Sequence, residues 1–344
     1  MRATEVLLLL TGAFCLSWAL TWWVRQIALK GQMLDLPNER SSHTRPTPRG
    51  GGLAIVGSFL GVVGVLALVG RALPTQLAAA LLGSGAIVAF VGFVDDRSHL
   101  SARVRFIAHV AAAAWALWMM SGIPPLTAFG FSVNLGWPGL ILAILYFVWL
   151  INLYNFMDGI DGIASIEAIA VSLGGALTWW LASRSSLWFV PVLFAACVAG
   201  FLAWNYPPAR IFMGDAGSGF IGLIMGVLSM WTAHETPVVF WCWIILLGGF
   251  VVDATTTLVR RVLRGDKFHE AHRNHAYQYA SRKHASHARI SLAFGAIACF
   301  WLLPLAVLVA LRMLDGVVGV VVAYAPLVVL AFRYKAGVRS EQRM

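Results

Sequence analysis

Apolar residues fill this chain in runs of about twenty, and polar residues are confined to the gaps between them. Windows of about 19 residues mark eleven such runs. They lie roughly at 5–24, 51–70, 76–94, 104–121, 137–154, 162–181, 186–204, 216–232, 237–258, 290–310 and 316–332. Each is long enough to cross the hydrocarbon core of a bilayer as a helix. The pattern predicts an all-α polytopic membrane protein of about 11 transmembrane helices, forming one domain over 1–344. The first run is long, lacks a clear small-residue cleavage site and is followed by Arg25 and Lys30, so it reads as a retained anchor. Between the fourth and fifth runs, 121–136 is polar, partly alternating and rich in turn residues, which allows a small hairpin. The spacings Gly57-x-x-x-Gly61 and Gly222-x-x-x-Gly226 are expected to let helices pack closely.

Composition supports the membrane reading and redirects the meaning of the charge. The 344 residues are 60% hydrophobic and 12% charged, outside the range of soluble domains. A net charge of +10 would suggest nucleic acid in a soluble protein, whereas in a membrane protein it reports topology. With the N-terminus periplasmic, 21 of the 25 Lys and Arg fall inside, leaving Arg2, Arg71, Arg184 and Arg312 outside. That bias places the C-terminus and the loops at about 25–50, 95–103, 155–161, 205–215 and 259–289 in the cytoplasm, and nucleic acid is not an expected partner. Cys15, Cys197, Cys242 and Cys299 all sit in apolar runs without CxxC spacing and read as core filler. There is no Walker loop, no dinucleotide fingerprint after a strand and no Gly-x-Ser-x-Gly elbow.

The candidate chemistry lies on the inside face. Asn152, Asn155, Asp158 and Asp161 recur every third residue between two apolar runs, with Gly159 and Gly162 loosening the backbone. An acid at the bilayer centre costs on the order of 2.5–3.5 kcal/mol, so such residues are kept at helix ends unless they have work to do. Asp95 and Asp96 end the third run, where they oppose each other and the helix dipole. Either a cation compensates them, with Arg97, Arg103 and Arg105 at hand, or one carboxyl has a raised pKa. In the first inside loop, Arg45, Arg49 and the amides of Gly50 to Gly52 suit phosphate, or else lie against anionic lipid. Asp215 opens the eighth run beside Gly214, Gly217 and Gly219, as a helix cap or as a carboxylate near a metal-bound diphosphate. Glu167, two turns into its run, either faces the site or snorkels to the interface. Asp253 precedes the largest inside loop, which interleaves Lys and Arg with His269, His272, Arg273, His275, Tyr277 and Gln278. The three histidines have helical spacing for zinc but no evident fourth ligand. Cations among aromatic rings better suit a nucleoside diphosphate.

Hard oxygen ligands beside phosphate binders imply Mg²⁺ and phosphoryl transfer, and a membrane-embedded site implies a lipid substrate. The motifs Val94-Asp95-Asp96, Asn152-x-x-Asn155-x-x-Asp158-Gly-x-Asp161-Gly162, Phe212-Met-Gly214-Asp215-x-Gly217-Ser218 and the histidine loop occur in this order. In these the chain resembles the polyprenyl-phosphate N-acetylhexosamine-1-phosphate transferases, which include the phospho-MurNAc-pentapeptide transferase of peptidoglycan synthesis. The resemblance implies attack by undecaprenyl phosphate on the β-phosphate of a UDP-N-acetylhexosamine, with Mg²⁺ (or Mn²⁺ as a substitute), giving undecaprenyl-diphospho-sugar and UMP. It implies Asp95 as the base for the lipid phosphate, or else as a nucleophile in a double displacement. Asp215 would ligate the metal. Asp96 and Asp158 would position phosphate or metal, and Asn155 and Asp161 would shape the nucleotide pocket. Arg45, Arg49, Asn152, His272, Arg273 and His275 complete the expected substrate-binding set. It further implies a bacterial inner membrane with the active site on the cytoplasmic face, and leaves a homodimer open.

His272-Arg273-Asn274-His275 departs from the adjacent histidines of the pentapeptide transferases and from the His-x-His-His of the GlcNAc type. With Pro37-Asn38-x-Arg40-Ser-Ser-His43, it resembles the O-antigen-initiating subgroup that uses UDP-FucNAc or UDP-QuiNAc as well as UDP-GlcNAc. The rival readings are a pentapeptide transferase, a transporter of an anionic or lipid-linked substrate, and a non-catalytic scaffold. A transporter would show broken helices at matching midplane positions in two halves, which the sequence lacks.

Overall fold

A computed structural model describes residues 2–35, 46–70, 72–98, 100–266 and 273–338. Helix covers every predicted run. In chain order the helices are α1 (Ala3–Lys30), α2 (Gly52–Leu68), α3 (Thr75–Ser98), α4 (Ala102–Met119), α5 (Gly136–Met157), α6 (Ile163–Ser183) and α7 (Phe189–Asn205). They continue with α8 (Asp215–Glu235), α9 (Val239–Leu246), α10 (Gly248–Leu263), α11 (Ala276–His284), α12 (His287–Ile297), α13 (Leu303–Ala310) and α14 (Gly316–Arg333). Among the described residues, eight helical runs are long and apolar enough to cross a membrane. The ninth predicted run is not straight: α9 and α10 meet at a 65° bend. The tenth is α12 and α13 joined through a π-helical segment, Ala298–Leu302, and α2 is short at 17 residues.

The bundle is built around α8, which is buried along nearly its whole length. Small residues explain how. A Cβ on Gly222 would run into the backbone at Leu150 of α5, one on Gly226 would lie 2.9 Å from Phe147, and Gly217 and Gly52 leave α8 and α2 in backbone contact. The expected close packing therefore holds for Gly222 and Gly226. It does not hold for Gly57 and Gly61, where only a Leu20 methyl at 3.6 Å comes near the first and nothing comes within 4 Å of the second. Cys197 and Cys242 are core residues as expected, whereas Cys15 and Cys299 face outward.

Two short antiparallel ribbons qualify the all-helical expectation. Strand β1 (Leu34–Asp35) pairs with β2 (Thr47–Pro48) ahead of α2, and β3 (Leu126–Ala128) pairs with β4 (Phe131–Val133). The second ribbon is the hairpin expected in 121–136. Its two loop residues, Phe129 and Gly130, both have positive φ, the twist that closes a two-residue hairpin. It is tied to the end of the bundle by the Phe129 N–H, which donates to Asp315 Oδ2 at 2.7 Å. At the opposite end the C-terminal ends of α3 and α5 meet the N-terminal ends of α2 and α8.

Candidate active site

Asp95 and Asp96 occupy the last turn of α3, where a helix dipole disfavours acids. Each is compensated by a different element. Asp96 accepts the backbone N–H groups of Asp215 at 2.9 Å and Ala216 at 3.2 Å, so the negative end of α3 faces the positive end of α8. Two glycines make this approach possible. A Cβ on Gly92 would lie 2.6 Å from the Ala216 backbone, and one on Gly214 would lie 2.7 Å from Asp96 Oδ2. Gly214 also has φ 81° and ψ 170°, a conformation open to glycine alone. Asp95 is buried, with Oδ2 on Arg105 Nη1 at 2.8 Å and Oδ1 accepting the Leu100 N–H at 2.7 Å. Of the three neighbouring arginines, Arg105 is thus the one paired with Asp95, while Arg97 lies over the Phe93 ring at 4.2 Å.

Arg49 joins the two helix ends. Its Nη2 lies 2.7 Å from Asp215 Oδ1 and 3.0 Å from Asp96 Oδ1. Burial works against the guanidinium charge, but Asp215, Asp96, Asp35 and Asp158 outweigh it and hold its pKa above the ordinary value. Asp215 also meets the Asp95 side chain directly. Asp158 caps the C-terminus of α5. Burial pushes its carboxyl well above the usual carboxylate range, against the pull of Arg49 and with the repulsion of Asp215, Asp161 and Asp96. Asp95, Asp96, Asp158 and Asp215, far apart along the chain, therefore share one electrostatic site with Arg49.

A second layer docks the segment after α10 onto the turn after α5. The Asp253 carboxylate accepts the N–H groups of Ala276 at 2.9 Å and Tyr277 at 2.9 Å, with the Thr257 hydroxyl at 3.2 Å and His275 Nδ1 at 3.3 Å. The Tyr277 hydroxyl donates to the Phe156 carbonyl at 3.0 Å, and a side chain at Gly159 would collide with that hydroxyl. The His275 ring stacks beside Phe156, with centroids 6.5 Å apart.

The other predicted residues have more local partners. Asn152 donates to the Val148 carbonyl of its own helix at 2.7 Å, and Asn155 lies half-buried one turn before Asp158. Asp161 Oδ2 accepts the Ala209 N–H at 3.0 Å and lies 3.3 Å from His287 Nδ1, stitching the turn to its neighbours. The Arg273 carbonyl accepts Arg282 Nη2 at 3.4 Å. Arg45 and His272, and His269 of the zinc alternative, lie outside the described residues.

Residues 78–233 match the glycosyl transferase family 4. The chain is 33% identical over 275 residues to the probable undecaprenyl-phosphate N-acetylglucosaminyl 1-phosphate transferase of Bacillus subtilis (strain 168), covering 75% of this chain and 74% of that protein. The chain belongs to the glycosyl transferase family 4. It is also 26% identical over 290 residues to the undecaprenyl-phosphate alpha-N-acetylglucosaminyl 1-phosphate transferase of Escherichia coli (strain K12), covering 79% of this chain and 76% of that protein. Similarity to the phospho-N-acetylmuramoyl-pentapeptide-transferase of Moorella thermoacetica (strain ATCC 39073 / JCM 9320) is 30% over 191 residues, 51% of this chain and 58% of that protein. The matched region of this family 4 chain runs from α3 to α8 and holds all four clustered aspartates. Arg49, Asp253 and Tyr277 lie outside it and reach the site through the fold.

Sequence reasoning offered Arg105 only as one of three compensating cations and Tyr277 only as part of the cation–aromatic loop, and it assigned no role to Asp253. For Asp253 a signal existed, since an acid within an apolar run needs partners. For Tyr277 none did, because its partner is a backbone carbonyl far away in sequence.

The donors suit a hard divalent ion in one specific way. Among the described residues no three His, Cys, Asp or Glu side chains could by themselves hold a metal. Mg²⁺ ordinarily takes one or two carboxylates together with substrate phosphates and water. Asp215 and Asp96 already turn one oxygen each toward a single cationic nitrogen of Arg49, and Asp158 adds a carboxyl nearby, so the oxygen set fits Mg²⁺ completed by substrate.

Proposed function

We propose that this protein transfers N-acetylhexosamine 1-phosphate from a UDP-sugar to undecaprenyl phosphate, giving undecaprenyl-diphospho-sugar and UMP. The observation that carries the reading is the convergence of Asp95, Asp96, Asp158 and Asp215 around Arg49 at one end of a membrane bundle whose B. subtilis relative is named as such a transferase. The Lys and Arg that the sequence gathers in the loops on that side of the spans support a cytoplasmic site in a bacterial inner membrane. The histidine-loop pattern supports O-antigen or related envelope polysaccharide initiation.

In this reading a lipid phosphate oxygen attacks the β-phosphorus, the bond from that phosphorus to the bridging oxygen breaks, and UMP leaves. The proton of the lipid phosphate passes to Asp95. Both Asp95 oxygens are anchored, one on Arg105 and one on the Leu100 amide, so the carboxylate acts from a fixed position. Moving Asp95 to phosphorus as a nucleophile would break both bonds. Asp215 and Asp158 would hold Mg²⁺, which when bound supplies neutralisation of the diphosphate charge. Arg49 orients phosphate by its fork, and Asp96, fixed on two amides, sets where the start of α8 presents its N–H groups. Asn155, Asp161, Arg273 and His275, together with Arg45 and His272 outside the described residues, would bind the sugar nucleotide.

The test is purified protein with undecaprenyl phosphate, Mg²⁺ and a panel of UDP-GlcNAc, UDP-FucNAc, UDP-QuiNAc and UDP-GalNAc. UMP release is expected with at least one sugar, stopped by EDTA and restored by Mg²⁺ or Mn²⁺. No release with any sugar would end the reading. Undiminished release by Asp95→Asn and Asp215→Asn would overturn the residue roles alone.

A further inference from the structure

Glu167 is an acid that the transfer reaction leaves unused. It lies in α6, fully buried, and neither carboxylate oxygen has a well-formed hydrogen bond. It thus neither reaches the acid cluster nor snorkels outward. A carboxyl in such a place is disfavoured in either protonation state, and a leucine would fill the space without that penalty.

What surrounds Glu167 is the break in the α9–α10 span. The Glu167 carboxylate lies against the first turn of α10, beside Gly249. Amides in the first turn of a helix have no acceptor within that helix. Gly249 leaves room for the approach, since a Cβ there would lie 3.2 Å from Glu167 Oε1. The Phe250 ring packs on Tyr154, with centroids 5.2 Å apart. Across the break, Tyr324 donates to the Ile244 carbonyl at 2.6 Å, and Gly248 makes space for its ring. One turn beyond Phe250 stands Asp253, which holds His275 and the first amides of α11. The direction α10 takes after its 65° bend therefore decides where Asp253 meets that segment.

We propose that Glu167 is a positioning residue of the transfer site: with its carboxylate set against the first turn of α10 at Gly249, it fixes the bend between α9 and α10, and through Asp253 it sets the His275–Tyr277 segment against the turn after α5. The inference rests on the reading of that segment as the sugar-nucleotide side of the site. A role in packing alone would change stability and nothing else.

Full-length protein carrying Glu167→Gln or Glu167→Leu separates the two. The measurements are thermal melting, KM and kcat for the UDP-sugar and for undecaprenyl phosphate, and amide hydrogen exchange over 273–279. The Gln variant, which keeps a polar group of the same shape facing that turn, is expected to stay within about twofold of wild type, while the Leu variant raises the UDP-sugar KM about tenfold without raising the lipid KM. The Leu variant is also expected to melt no lower than wild type and to exchange faster at Ala276 and Tyr277. Wild-type KM values with wild-type exchange, or an equal rise in both KM values, would overturn the proposal. Should Glu167→Leu not fold, Gly249→Ala crowds the carboxylate away from that turn and is expected to give the same split at smaller amplitude; an unchanged UDP-sugar KM there overturns it equally. A wild-type protein that releases no UMP ends the functional reading, and the exchange data then judge the Glu167 proposal alone.

Discussion

Arg49 is the residue on which the acid cluster turns. One nitrogen bridges Asp215 and Asp96, and in the proposed reaction the planar group also orients phosphate. Lysine keeps the charge and loses the fork. Arg49→Lys is accordingly expected to lower kcat for UMP release by about 100-fold, the scale of a misplacement of about 1 Å. Gly214 tests the same spot through the backbone. Its conformation and the nearness of Asp96 exclude a side chain, so Gly214→Ala is expected to cost about 1–3 kcal/mol in thermal melting and to lose activity with it. At this scale the sequence was informative about identity: Asp95, Asp96, Asp158 and Asp215 stand out as acids at the ends of apolar runs. Their partners were not legible. Arg105 was one of three equivalent arginines, and its pairing with Asp95 depends on how α4 leaves the turn after α3.

Among the elements, α11 and the residue before it are docked at their N-terminal end by two ties. Asp253 supplies one, accepting four donors at its two oxygens, and the Tyr277 hydroxyl supplies the other. Asp253→Asn turns an NH2 toward at least one of those donors, and it is expected to raise the UDP-sugar KM about tenfold while sparing the lipid KM. Tyr277→Phe leaves the Phe156 carbonyl without its donor, at a cost of about 1 kcal/mol readable in melting. Helix existence and rough boundaries followed from apolar run length. The 65° bend did not, because Leu247, Gly248 and Gly249 read as ordinary apolar residues in a continuous run. Nor did the difference between the two small-residue spacings. Gly222 and Gly226 face α5, whereas Gly57 and Gly61 do not face a close neighbour, and the spacing alone is the same.

At the scale of the molecule, the acid cluster and the β3–β4 hairpin stand at opposite ends of the bundle. Cysteines at Ser98 and Arg210, near the cluster, and at Phe129, in the hairpin, test this in cells after Cys15 and Cys299 are replaced by Ser. Membrane-impermeant thiol reagents are expected to reach Phe129→Cys from outside, and Ser98→Cys and Arg210→Cys only after the membrane is opened. Labelling of Ser98→Cys and Arg210→Cys from opposite sides would break the shared-site arrangement, and labelling of all three from one side would break the separation of cluster and hairpin.

Hydrophobic run length and the bias of Lys and Arg are sums over many residues, and they survive any local error; from them alone the helical class and the grouping of the acids at one end of the bundle could be read, with an orientation as an expectation. Which acid meets which cation, which glycine lets two backbones touch and where a span breaks are decided pairwise, between residues distant in sequence. Bonds such as Asp96 to the α8 amides or Tyr277 to Phe156 exist only once α8 has drawn its neighbours in, so only the folded bundle could assign them.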